Sequence, residues 1–116
     1  MTDNTLFRTM LFDFYGELLT DKQREYFDLH YNEDLSLAEI AEQNGISRQG
    51  VWDIIRRAEQ SLRDIEEKTG LVRRFTQQRE ILDALEADLL RLRQLTRGEA
   101  FDLAGDAVQK LYALAE

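Results

Sequence analysis

An all-α fold is what this sequence predicts, and three observations predict it. None of its 116 residues is proline, so no residue removes a helical N–H or forces a kink. Apolar residues recur at three- and four-residue steps over most of the chain, and no stretch alternates with the period of a strand. Two segments, Thr20-Asp21-Lys22-Gln23 and Ser36-Leu37-Ala38-Glu39, have the form of a capping box, the mark of a helix start.

The elements follow in order. Leu6, Phe7, Met10, Leu11, Phe14, Leu18 and Leu19 predict a first amphipathic helix with a broad apolar face. Thr20 caps a second helix, with Asp21 at the positive end of its dipole, running to about Asn32. Ser36 opens a short third helix that ends at Asn44-Gly45, where glycine takes a left-handed conformation. Ser47 caps a fourth helix of about six turns, carried by Val51, Ile54, Ile55, Ala58, Leu62 and Ile65 as far as Thr69-Gly70. Beyond it Leu71, Phe75, Gln78, Leu82, Leu85, Leu89 and Leu92 alternate steps of four and three, a coiled-coil-like seam. Thr96-Arg97-Gly98 breaks that helix, and Phe101, Ala104, Val108, Leu111 and Ala115 carry a last one, suited to folding back as a hairpin or to packing on a partner.

Composition narrows the function. The length suits one domain with at most an accessory element, and the helix end at Thr69-Gly70 with the change of apolar pattern beyond it places a domain at 1–70 and a helical extension at 71–116. With 43% hydrophobic and 33% charged residues, the chain has material for a core. Its longest apolar run, Leu111 to Ala115, is far short of a membrane span of about 20 residues. Cysteine is absent, which excludes disulfides, thiolate catalysis and cysteine-ligated metals. Met1-Thr2-Asp3-Asn4-Thr5 has neither the basic nor the apolar part of a secretory leader, so a cytoplasmic location is expected. The net charge is −8, nearly all of the excess lies before Leu71, and nucleic-acid binding through bulk attraction is disfavoured. Any such contact must be local.

The most specific feature lies between Leu37 and Arg56. A helix-turn-helix unit needs a small residue where its helices cross, a glycine in the turn and apolar anchors on the second helix. Ala41, Gly45, and Val51 with Ile54 meet these needs, and Ile40 and Ile46 flank the turn. Counted from the Ser47 cap, Arg48, Gln49, Trp52 and Arg56 should project away from the Val51-Ile54-Ile55 face. Arginines grip phosphates, glutamine suits an adenine edge, and an aromatic suits a thymine methyl.

Leu37-Ala38-Glu39-Ile40-Ala41, Gly45-Ile46-Ser47-Arg48-Gln49 and Val51-Trp52-Asp53 resemble region 4 of bacterial sigma factors, the part that reads a promoter element. Trp52 and Asp53 stand where that region places arginine and glutamine, and Gln49 stands where it usually has an acid. The carry-over of sigma residues therefore stops at Ser47 and Arg48. The whole chain more closely resembles the YlxM family of small bacterial helical proteins. Ser47-Arg48-Gln49-Gly50-Val51-Trp52-Asp53-Ile54-Ile55-Arg56-Arg57-Ala58-Glu59 is the most telling stretch, and Leu11-Phe12-Asp13-Phe14-Tyr15-Gly16-Glu17-Leu18-Leu19-Thr20 and Gln23-Arg24-Glu25-Tyr26-Phe27 fit as well. The resemblance is nearly complete through Gly70 and weaker after it. It implies a sigma region 4-like helix-turn-helix bundle and a DNA-binding regulator whose gene accompanies those of the signal recognition particle, hence a part in protein targeting.

Expected nucleic-acid-binding residues are thus Ser47, Arg48, Gln49, Trp52, Arg56 and Arg57, with Trp52 read either as an exposed contact or as the edge of the core. Phe75, Leu82, Leu85, Leu89 and Leu92 are expected to form a homodimer, since a short hairpin partner rich in small residues leaves much of that seam uncovered. Arg73, Arg74, Arg79, Arg91, Arg93 and Arg97 read as a solvated face. His30 is the only histidine and reads as structural rather than metal-binding. The serines have no base at catalytic spacing and no phosphate-binding loop occurs, so no enzyme activity, cofactor or metal is expected. The rival to DNA binding is an adaptor for the GTPase or RNA of the signal recognition particle, favoured by the acidic charge.

Overall fold

A computed structural model describes residues 2–115. Among them run α1 (Thr2–Tyr15), a 3-10 turn (Gly16–Leu18), α2 (Asp21–Tyr31), α3 (Leu37–Asn44), α4 (Arg48–Thr69), α5 (Leu71–Leu95) and α6 (Glu99–Ala115), with no strand among the described residues. The fold is the expected all-α one. It divides into two compact units, residues 1–72 and residues 73–116.

In the first unit α4 is the central element and packs on α1, α2 and α3. Its buried side is Val51, Ile55, Ala58 and Leu62, set against Leu11, Tyr26, Phe27 and Ile40, all at or within 1% of complete burial. Each large apolar side chain buried in this way is worth about 1.5–3 kcal/mol. Phe12 stacks on Phe27 with centroids 5.0 Å apart, and Phe27 meets Tyr31 at 4.8 Å.

The first helix is shorter than its apolar pattern suggests. It stops at Tyr15, and Leu19 leaves in an extended conformation with its N–H donated to the Gly16 carbonyl. Two local demands explain the break. Glycine is costly inside a helix, and Thr20, as the cap of α2, needs an extended approach. Leu19 still reaches the core, whereas Leu18 is 69% exposed and Leu6 63% exposed, so those two lie outside the face to which the spacing assigned them. Both capping boxes form with reciprocal bonds, Thr20 with Gln23 and Ser36 with Glu39.

At the other end of α4, Gly70 takes φ +63° and gives its N–H to the Glu66 carbonyl. The Glu66 carboxylate accepts from the Tyr15 hydroxyl at 2.7 Å and from the Val72 N–H at 2.9 Å. Burial and that carboxylate raise the Tyr15 phenol above its usual range.

The second unit is a hairpin. Gly98 turns the chain at φ +67°, and α6 runs back along α5, with the Arg93 guanidinium 4.4 Å from the Phe101 ring centre and Tyr112 hydrogen-bonded to Glu86. Ala104 and Val108 are buried. Leu82, Leu89 and Leu111 are half-buried.

Candidate nucleic-acid interface

α3, the turn after it and the first half of α4 present the candidate surface. Ile40 and Ala41 are buried under α4, and alanine at that point permits the close crossing. The turn is closed by backbone: the Gly45 and Ile46 N–H groups both reach the Ala41 carbonyl, and Gly45 sits at φ +65°, ψ 32°. Asn44 donates its side-chain amide to the Ile40 carbonyl at 2.8 Å. Ser47 then caps α4, its Oγ accepting the Gly50 N–H at 2.9 Å. The start of α4 is therefore fixed by main chain and cap before any surface side chain matters.

Successive residues of an α-helix turn by about 100°, which sorts the outward side of α4. Opposite the Val51, Ile55, Ala58 and Leu62 face run Gln49, Asp53 and Arg56. Arg48 and Trp52 lie on one flank of that strip and Arg57 on the other. Ser47, Arg48, Gln49, Arg56 and Arg57 are exposed, and Trp52 is 37% exposed, partly covering the core while its outer edge meets solvent.

The strip is internally bonded. Gln49 Nε2 donates to Asp53 Oδ1 at 3.0 Å, and Arg56 Nη2 lies 3.8 Å from the same oxygen. Of the residues expected to face a nucleic acid, Gln49 is hydrogen-bonded to an acid and Arg56 is ion-paired with it. The Gln49–Asp53 bond follows i,i+4 spacing and was open to sequence reading through the rule for polar helix pairs.

Trp52 divides two surface concavities. One is lined by Leu37, Arg48, Gln49 and Trp52. The other includes Arg8, Tyr31, Arg56, Glu59 and Arg63. In the second, the Glu59 carboxylate takes Arg8 at 2.7 Å and Arg63 at 3.2 Å, and the Arg8 guanidinium lies 4.3 Å from the Tyr31 ring centre. Partial burial opposes ionisation of Glu59, but the two arginines together outweigh it and hold the carboxyl below the usual carboxylate range. Burial raises the Tyr31 phenol, with Arg8 opposing. Arg8 lies 51 residues from Glu59, so no local pattern foretold this cluster.

The other candidate residues are placed as follows. Phe75, Leu85 and Leu92 on α5 are 44–47% exposed, while Leu82 and Leu89 are half-buried. His30 is half-buried with Nδ1 2.8 Å from the Leu35 carbonyl. Since a carbonyl only accepts, that nitrogen carries the proton. Among the described residues no group of three or more His, Asp or Glu side chains is arranged to hold a metal ion, and no helix is long and apolar enough to cross a membrane.

Comparison with known proteins follows the same outline. A family described as "Putative helix-turn-helix protein, YlxM / p13 like" matches residues 2–100. The UPF0122 protein of Thermoanaerobacter sp. strain X514 is 50% identical over 97 residues, covering 84% of this chain and 83% of its own length. That of Caldanaerobacter subterraneus subsp. tengcongensis is 60% identical over 74 residues, or 64% of this chain and 63% of its own. That of Listeria innocua is 47% identical over 89 residues, or 77% and 81%.

Proposed function

This chain belongs to the UPF0122 family of YlxM/p13-like helix-turn-helix proteins, and on that footing we propose that it is a non-enzymatic, DNA-binding regulatory protein of the cytoplasm. The observation that carries the reading is the outward side of α4. A polar strip of Gln49, Asp53 and Arg56 is flanked by Arg48 and Arg57, on a helix whose start is fixed by the Gly45 turn and the Ser47 cap. A major groove is about 12 Å wide with phosphates along both walls. In it, the flanking Arg48 and Arg57 meet the walls, Gln49 faces base edges, Trp52 reaches them from the Arg48 flank with its exposed outer edge, and Arg56, about 12 Å further along the helix than Arg48, reaches the backbone.

In this reading residues 1–70 are the DNA-binding domain and residues 71–116 the dimerisation element. Phe75, Leu82, Leu85, Leu89 and Leu92 join two copies, and the pair presents recognition helices to half-sites one DNA turn apart, about 34 Å. The test is binding to duplex DNA across a salt titration. Each phosphate contact contributes a slope of about −0.9 in log K against log salt, so an Arg48→Ala/Arg56→Ala variant should bind more weakly with a slope shallower by nearly 2 per protomer. Undiminished binding by that variant would sink the reading.

A second reading is favoured by the net charge of −8 and by an acid in the middle of the strip. The same fold then serves as an adaptor in the signal recognition particle pathway, bound to the basic GTPase or to the RNA of that particle. Salt titrations with duplex DNA, the particle RNA and its GTPase in parallel separate the two readings.

A further inference from the structure

The DNA-binding reading, on which this inference rests, leaves Asp53 without a part. A carboxylate repels phosphodiesters, yet Asp53 stands between Gln49 and Arg56, opposite the core face of α4. With Arg48 and Arg57 on the flanks, the groove walls fall to the arginines and the floor of the groove, where base edges lie, falls to Asp53. Its side chain is 41% exposed; Gln49 Nε2 donates to Oδ1 at 3.0 Å, and Arg56 Nη2 lies 3.8 Å from the same oxygen. Oδ2 has no partner among the described residues and remains an acceptor. The major groove offers two donors to such an oxygen, the N6 amino group of adenine and the N4 amino group of cytosine. Beside adenine N6 lies N7, whose lone pair repels a carboxylate. Beside cytosine N4 lies only a C–H.

We propose that Asp53 is a specificity-determining residue that accepts a hydrogen bond from the N4 amino group of a cytosine in the major groove. Gln49 orients it through the bond to Oδ1. Gln49 keeps its Oε1 and its second amide hydrogen for an adjacent base, so the hydrogen-bonded pair reads two neighbouring positions. The acid lowers affinity for every phosphate backbone and recovers it only where a cytosine amino group meets it.

The experiment selects duplexes from a randomised DNA library with the wild-type full chain and with Asp53→Asn. Anisotropy then measures each protein on the enriched duplex, on its variants at every selected base pair, and on a scrambled duplex. The wild type should prefer cytosine at one position by about tenfold or more, within the range of a good base contact. Asp53→Asn should lose that preference while keeping those at other positions, and should bind the scrambled duplex more tightly. A variant that gains affinity uniformly with unchanged preferences overturns the proposal and leaves DNA binding standing. A wild type that retains no duplex even at low salt overturns both.

Discussion

Gly45 joins the two helices of the motif, and its replacement separates backbone strain from steric conflict. The residue sits at φ +65°, ψ 32°, and a Cβ added there meets nothing within 4 Å. Only the left-handed conformation then penalises a side chain, by roughly 1–2 kcal/mol for an ordinary L-residue. Reduced freedom of the unfolded chain returns about 0.4–1 kcal/mol of that. Gly45→Ala should therefore lose about 1 kcal/mol. Gly45→Asn should lose less, since asparagine tolerates this region, and the β-branched Gly45→Val should lose more. Trp52 is the only tryptophan and lies within residues 1–72, so its fluorescence in urea follows the unit that contains the substitution. With a slope of about 1–2 kcal/mol/M, the alanine midpoint should fall by roughly 0.5–1 M. Equal losses for asparagine and valine, or a gain on alanine substitution, would refute the strain argument. Because the new methyl group points into open space, DNA binding well below the transition should match that of the wild type.

Three further outcomes are expected. Ser47→Ala removes the oxygen that accepts the Gly50 N–H and should cost about 1 kcal/mol by urea titration; an unchanged midpoint would show that the cap is dispensable. Glu59, whose folded pKa lies below its unfolded value of 4.5, contributes stability that is present above that value and is lost as pH falls through the folded pKa. Glu59→Gln should accordingly be less stable at neutral pH and show a shallower acid limb, and equal loss of stability on acidification in both proteins would count against the Arg8–Glu59–Arg63 cluster. Leu85→Asp on the half-exposed seam should give a monomer by sedimentation with weakened DNA binding, although α4 is untouched. A wild type that already sediments as a monomer at high micromolar concentration removes the dimer from the proposal.

Helix starts were the most legible part of the fold. Thr20, Ser36 and Ser47 each announce a cap through chemistry confined to four residues, and all three bonds form. Glycine turns at Gly45, Gly70 and Gly98 were legible for the same reason. The end of α1 was not, because Leu18 and Leu19 continue the apolar spacing while Gly16 and the lead-in to Thr20 end the helix, and periodicity alone carries no record of that contest. At the surface, the exposed positions of α4 followed from counting along the helix. The internal bonding of that surface needed attention to Gln49 and Asp53 as an i,i+4 pair. Arg8 was beyond reach, since its partners Glu59 and Tyr31 meet it only after α1, α2 and α4 have packed.

A net charge of −8 together with Arg48, Arg56 and Arg57 on the outward side of α4 has a consequence for how the proposed function operates. Long-range attraction to DNA grows with net positive charge, and at −8 this chain gets little of it. Arg56 is further offset by Asp53 at 3.8 Å. A single recognition helix then has few phosphate contacts and weak non-specific affinity. Competing genomic sites number in the millions, so weak non-specific binding raises the ratio of specific to non-specific occupancy, provided the specific site recovers enough free energy. Two half-sites supply it: once one recognition helix of a dimer is seated, the second faces its half-site at an effective concentration that reaches the millimolar range. In the proposed function, an acid among the base-facing residues and an apolar seam joining two copies would therefore belong to one design, in which discrimination comes from the strip and affinity from pairing.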